Sequence, residues 1–150
     1  MSSRRPAPGG ARSGGLVIDA SVAAAWCFDD AVSPLSEAAL DEVVRSGARV
    51  PAVWLVEMAN VLVIAERRGR VDAERADRLL ENLLALPVIV DDREPHALSP
   101  AVVRVARAQR LTAYDAAYLE LAMRTGLPLA TRDATLGTAA GRVGVSLFEG

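Results

Sequence analysis

Residues 111–133, LTAYDAAYLELAMRTGLPLATRD, hold a helix start, a helix stop, a strand and an acidic residue in one unbroken passage. Thr112 with Asp115 three residues on resembles a capping box, the device that satisfies free N–H groups at a helix start. The spacing predicts a helix to about Thr125, and Gly126 suits the left-handed backbone that ends one. LPLA then reads as a short strand. Asp133 follows it, placed to cap a helix over Ala134–Ala140.

Upstream, the same alternation recurs. LVI (16–18) runs into Asp19 and a helix near Val22 to Phe28, followed by a helix near Pro34 to Ser46 and an ARV strand before Pro51. A long helix near Ala52 to Arg68 stops at Gly69, with Arg67 and Arg68 in the last turn where cations suit the dipole. Asp72 can cap the next helix, in which Ala76, Leu79, Leu80, Leu83 and Leu84 form an apolar stripe. PVIV (87–90) reads as a buried strand, Ser99 followed by Pro100 as a helix start running to about Arg110, and VSLF as a last strand. Strands separated by single helices imply an α/β fold with a parallel sheet and helices on both faces, and ligands gather beyond the strands' carboxyl ends in such sheets. Asp19 and Asp133 both directly follow strands.

Composition narrows the function classes. At 150 residues the chain suits one domain, and its apolar runs fall far short of the roughly 20 residues a membrane span needs. The single Cys27 and the absence of a hydrophobic signal sequence point to a reducing cytoplasm. Cys27 lies in an apolar helical stretch far in sequence from the lone His96, which sits in a loop-like HALSP segment, so a buried structural thiol is expected rather than a catalytic pair. A net charge of -2 argues against indiscriminate nucleic-acid binding while leaving room for a local basic path; all 17 basic residues are arginine. Residues 1–15, MSSRRPAPGGARSGG, lack the side chains to bury surface and are expected to be a disordered tail before a domain over 16–150.

Four acids carry the chemistry: Asp19, Glu57, Asp115 and Asp133. Each aspartate has a structural alternative as a helix cap. Glu57 is harder to place, because the helix around it (VWLVEMANVLVI, 53–64) is apolar on all sides and hence expected to be buried. A buried carboxylate must be protonated, paired with an arginine or set at a metal, and Asn60 shares its helix face and could orient it. Four carboxylates gathered at spacings of about 6 Å would repel one another by about 15 kcal/mol in total at an effective dielectric near 20, as much as a whole domain's stability. A cation or protonation is then obligatory, and oxygen ligands favour magnesium or manganese over zinc. Such a site suits phosphodiester hydrolysis by metal-activated water. Ser21 and Thr131, each two residues from an aspartate, could hold a water or a phosphate oxygen, or serve as ordinary caps.

The order IDASV with a following Trp26, then P51-x-x-W-x-x-E-x-x-N, then LTAYDAAYLELA, then LATRD resembles the PIN domain, and within it the VapC toxins of bacterial VapBC toxin-antitoxin pairs, over about residues 16–148. The resemblance implies a three-layer α/β/α fold with a central, mainly parallel sheet and a magnesium-dependent endoribonuclease. Asp19, Glu57, Asp115 and Asp133 match its acidic positions and Thr131 its hydroxyl position; Asp19 and Asp115 match the positions most regularly taken as direct metal ligands. It also implies a homodimer inhibited by a small VapB-type antitoxin. The N-terminal tail departs from the family pattern, in which the first strand begins almost at once.

RNA requires positive guides beside such a pocket. Arg67, Arg68 and Arg70 of the ERRGR turn, and Arg104 with Arg107 on one helical face, are candidates, with solvated helix surface the plainer alternative. A haloacid-dehalogenase-like phosphatase would need a second acid where Ser21 stands, and a response-regulator receiver would need a lysine the chain lacks. A housekeeping PIN nuclease of RNA processing and a catalytically inactive PIN-like RNA- or protein-binding module are the remaining alternatives; a single domain with no added zinc or RNA-binding segment favours the toxin.

Overall fold

The computed structural model describes residues 15–150, and its centre is a strand with every side chain out of reach of water: β1 (Leu16–Ile18). On one side β1 pairs in parallel with β2 (Ala48–Val50), Leu16 lying opposite Ala48, and on the other with β4 (Leu129–Ala130), Val17 lying opposite Leu129. β3 (Val88–Val90) pairs with β2, so the parallel sheet runs β3-β2-β1-β4. Seven helices surround it among the described residues: α1 (Ala20–Ala25), α2 (Pro34–Ser46), α3 (Val53–Arg67), α4 (Ala73–Ala85), α5 (Pro95–Gln109), α6 (Ala113–Thr125) and α7 (Ala134–Arg142). Helices α1 to α4 pack on one another with α2 against β1, while α5 and α7 pack on α6, which lies against β1 and β4. The result is a three-layer α/β/α sandwich.

Most element boundaries follow the local signals. Ser33 caps α2 in a full capping box with Ser36, Asp72 caps α4 through the Arg75 N–H, and Gly126 ends α6 at φ 70°. Cys27 is buried, its thiol directed at the Ala23 carbonyl 3.8 Å away, as a structural thiol should be. Residues 1–14 of the expected tail lie outside the described residues; Gly15, its last residue, donates its N–H to the Ser46 and Gly47 carbonyls.

Four expectations need correction. PVIV is a strand, but it is the sheet's edge, and Ile89 and Val90 are exposed; a short apolar run does not by itself distinguish an interior strand from a marginal one. Ser99 and Pro100 do not start α5. The helix opens a turn earlier, with Pro95 in its first turn and the Glu94 carboxylate accepting the His96 N–H at 2.9 Å, so His96 is helical and Pro100 is internal. Pro100 leaves the His96 carbonyl without its helical donor on an exposed turn, where water can replace it. VSLF contributes only one parallel bridge, Leu129 to Leu147, because β4 is itself two residues long. Finally, α3 is not buried all round: Trp54, Met58, Leu62 and Ala65 face the core, but Leu55, Val56 and Val63 are exposed, Val56 by 69%.

A buried ion cluster ties α6 to the segment after β3. Glu120 accepts from Arg124 at 2.9 Å and from Arg93 at 2.7 Å, and Arg124 reaches Asp91 at 2.6 Å; the Glu120 and Asp91 side chains are only 7% and 5% exposed. Removing the shared cation would strand the buried Asp91 carboxylate and leave Glu120 with Arg93 alone. Arg124→Ala is therefore expected to lower unfolding free energy by about 2–3 kcal/mol, measured as a lower urea midpoint with an unchanged slope.

Candidate active site at the carboxyl ends of the strands

Because β1 and β4 are parallel neighbours, the residues that leave them emerge side by side. Asp19 leaves β1 and is the N-cap of α1: Oδ1 accepts the Val22 N–H at 3.1 Å and the Ser21 hydroxyl at 2.7 Å. Its Oδ2 accepts the hydroxyl of Thr131, which leaves β4. Thr131 Oγ1 in turn accepts the Asp133 N–H at 3.0 Å, and Ser21 Oγ accepts the Arg132 N–H at 2.9 Å. Asp133 caps α7, its Oδ1 accepting the Leu136 N–H at 2.9 Å, and is exposed at the mouth of the site.

Two helices bring the other acids. Asp115 sits in the first turn of α6, its N–H donated to Thr112 Oγ1 at 3.2 Å, and its carboxylate accepts no hydrogen bond among the described residues. Glu57, midway along α3, accepts the Tyr118 hydroxyl at 2.8 Å. Tyr118 is 1% exposed and lies three residues beyond Asp115 on α6, so one helix carries an acid of the site and the donor that fixes another.

Electrostatics couples the four. Burial raises the pKa of Asp19, and the charge of Asp133 adds to this against the lowering effect of its hydroxyl partners. Burial also raises Glu57; Tyr118 opposes the shift while Asp115 and Asp19 reinforce it. Asp115 is raised by burial, then by Asp133 and Asp19, with no hydrogen bond to offset them. Among the described residues none of the four forms an ion pair with an arginine. The surplus negative charge and all-oxygen donor set fit a hard divalent cation in chemistry. No three side chains of His, Cys, Asp or Glu among the described residues form a ready-made metal cage, since Asp133 is turned to its helix and Glu57 to Tyr118.

The remaining sequence candidates divide. Ser21 and Thr131 belong to the Asp19 clamp. Asn60 does not orient Glu57; it is exposed, makes no side-chain hydrogen bond among the described residues, and lines a groove with Ser21, Arg68 and Arg70. Arg67, Arg104 and Arg107 are exposed and lie outside that groove. Two residues were missed: Tyr118, whose spacing from Asp115 was its only signal, and Arg132, which stands inside the LATRD motif.

Asp19, Glu57 and Asp115 bind protons more tightly folded than unfolded. Above the unfolded carboxyl pKa of roughly 4, and up through the raised folded values, the native state carries the extra protons, so metal-free stability falls as pH rises across that window. Thermal unfolding in chelator from pH 4 to 8 should show this decline, and magnesium or manganese should reverse it at the upper end. Asp115→Asn removes charge without losing a hydrogen bond, and is expected to raise the metal-free Tm at pH 8 by roughly 2–4 °C.

Comparison with known proteins agrees with this architecture. The PIN domain family profile matches residues 16–141. Ribonuclease VapC1 of Mycobacterium tuberculosis, in strains CDC 1551 and H37Rv alike, is 32% identical over 99 residues, spanning 65% of this chain and 71% of that protein. The crystal structure of PAE2754 from Pyrobaculum aerophilum matches with a TM-score of 0.65 at 30% identity, covering 84% of this chain and 86% of that one.

Proposed function

The chain belongs to the PIN domain family, and from that premise we propose that it is a magnesium- or manganese-dependent endoribonuclease, the toxin of a type II toxin-antitoxin pair. The observation that carries the reading is the set of carboxylates Asp19, Glu57 and Asp115, contributed by three separate elements, raised in pKa by burial and by neighbouring acids, and paired with no arginine among the described residues.

Asp19, Glu57, Asp115 and Asp133 would hold the ion. When bound, the metal supplies positive charge for the phosphate and leaving oxygen and lowers the pKa of water at the site. The chain's own part is positioning. Ser21 and Thr131 fix both oxygens of Asp19 from two strand ends, so its orientation does not depend on the substrate. Tyr118, its hydroxyl kept protonated by burial and by the Glu57 charge, holds Glu57 toward α6 and leaves its second oxygen free. Thr131 and Asp133 stand at the exposed side, where a scissile phosphate would arrive.

The name and extent of the Mycobacterium tuberculosis relative support the toxin assignment. With it come RNA as substrate, a VapB-type antitoxin as partner, a single domain over 16–150 and a cytoplasmic setting; none of the described helices is long and apolar enough to cross a membrane. The exposed Leu55, Val56 and Val63 stripe on α3 supports a homodimer, since uncovered apolar surface of this kind is usually an interface.

Antitoxin-free protein should cut RNA in magnesium or manganese. Chelator or Asp19→Asn should lower the rate at least roughly hundredfold, followed by gel analysis of a labelled transcript. Equal cutting by the variant would defeat the proposal, and RNA affinity without cleavage across several metals would favour the binding-module alternative.

A further inference from the structure

One cavity borders the acidic site without belonging to it. A groove of about 320 Å³ runs between α1 and α3, beginning at Ser21 and Asn60 beside the carboxylates. Its lining is largely apolar, Phe28 and Ile64 included, with Arg68, Arg70 and Arg132 supplying charge. In a chain of net charge -2, three guanidinium groups on one groove are a local reversal of sign.

Two of these arginines are fixed before any ligand arrives. Arg70 lies 4.3 Å over the Phe28 ring and is held by Asp30 at 2.7 Å. The guanidinium of Arg132 donates to the Ala31 carbonyl at 3.0 Å, and its backbone N–H to Ser21 Oγ, the same hydroxyl that binds Asp19. Arg68 makes no ion pair among the described residues. Ser21 thus touches the acidic site on one side and the basic groove on the other.

We propose that this groove is the subsite for the nucleotide next to the scissile phosphate, taking one unpaired base of single-stranded RNA on its apolar lining and the neighbouring phosphates on Arg68 and Arg132. The assignment rests on the endoribonuclease reading and extends it to the residues that hold the nucleotide beside the cut. Volume and chemistry both select the occupant. A pocket of this size with a largely apolar lining takes a single planar ring, and unpaired bases stack on aromatic faces and guanidinium planes, whereas duplex RNA keeps its bases turned inward and is read by shape. Charge selects a polyanion. An acidic peptide shares that charge but lacks the alternation of flat base and phosphate that the apolar lining and the arginines match, so it is the competing outcome.

The test separates binding from cutting. Fluorescence anisotropy of the cleavage-defective Asp19→Asn protein in magnesium, with a labelled single-stranded RNA of about ten nucleotides, should show affinity falling about tenfold for an added Arg68→Ala plus Arg132→Ala, with the salt slope reduced by about 1–2. An abasic ribose at one position beside the mapped cut should cost about tenfold in wild-type KM, and little further in the arginine variant. Duplex RNA of the same sequence should bind with no such dependence. Wild-type cleavage at full rate with KM and affinity indifferent to the arginines and to the abasic position would overturn the subsite and leave the nuclease reading standing. A wild-type protein that cuts no RNA, while the oligonucleotide still binds with these dependences, would overturn the nuclease reading and support the groove. An acidic peptide whose binding requires Arg68 and Arg132, with RNA indifferent to both, would also overturn the subsite.

Discussion

The arrangement turns on keeping a buried, ionisable carboxylate where neither burial nor its neighbours favour its charge. Asp19 is 4% exposed, feels the charge of Asp133, and has no arginine partner among the described residues. It stays in place because two hydroxyls and a backbone N–H surround it, and those donors come from the ends of adjacent strands. Parallel pairing of β1 with β4 is what sets Thr131 within reach of Asp19, while Ser21 and the Val22 N–H reach it locally from the first turn of α1. The clamp is therefore a consequence of topology as much as of residue type.

A comparison within α6 shows how selective the chain is with its cations. Glu120 and Asp115 lie five positions apart on one helix. Glu120, deep in the protein, is matched by Arg93 and Arg124, with Asp91 drawn into the same cluster. Asp115, half-buried, has neither arginine nor hydrogen-bond donor on its carboxylate, and the nearest charges reported by its raised pKa are other acids. The same scaffold satisfies one carboxylate completely and leaves another unsatisfied. Natural sequences break local consistency of this kind chiefly where a ligand completes the set.

Much of this was legible in the chain. The capping signals at Asp72 and Thr112 and the stop at Gly126 placed helices to within a residue or so, because they act through backbone groups close in sequence. The acids could be named from their settings; in the structure Glu57 feels the charges of Asp115 and Asp19, and Asp133 acts on Asp19 and Asp115. What escaped notice depends on tertiary neighbours. Asn60 was the local candidate to orient Glu57, yet the donor is Tyr118, 61 positions away. Arg132, between Thr131 and Asp133, carries no local signal of its own; only the turn after β4 sets its N–H against Ser21 of α1. The edge status of β3 and the exposed stripe of α3 were equally hidden, since an apolar run states what can be buried and not what the rest of the chain is able to cover.

The rim formed by β3 has a consequence of its own. Among the described residues, Ile89 and Val90 leave apolar side chains and one row of peptide groups without a neighbouring strand, the usual template for uncontrolled strand-to-strand growth. Yet β3 is only three residues long, enough for one or two backbone hydrogen bonds to an incoming chain before the exposed Asp92 interrupts the run. Brevity followed by charge works as a gatekeeper: the protein can carry a greasy margin, with two strands between it and β4, without seeding fibrils from it.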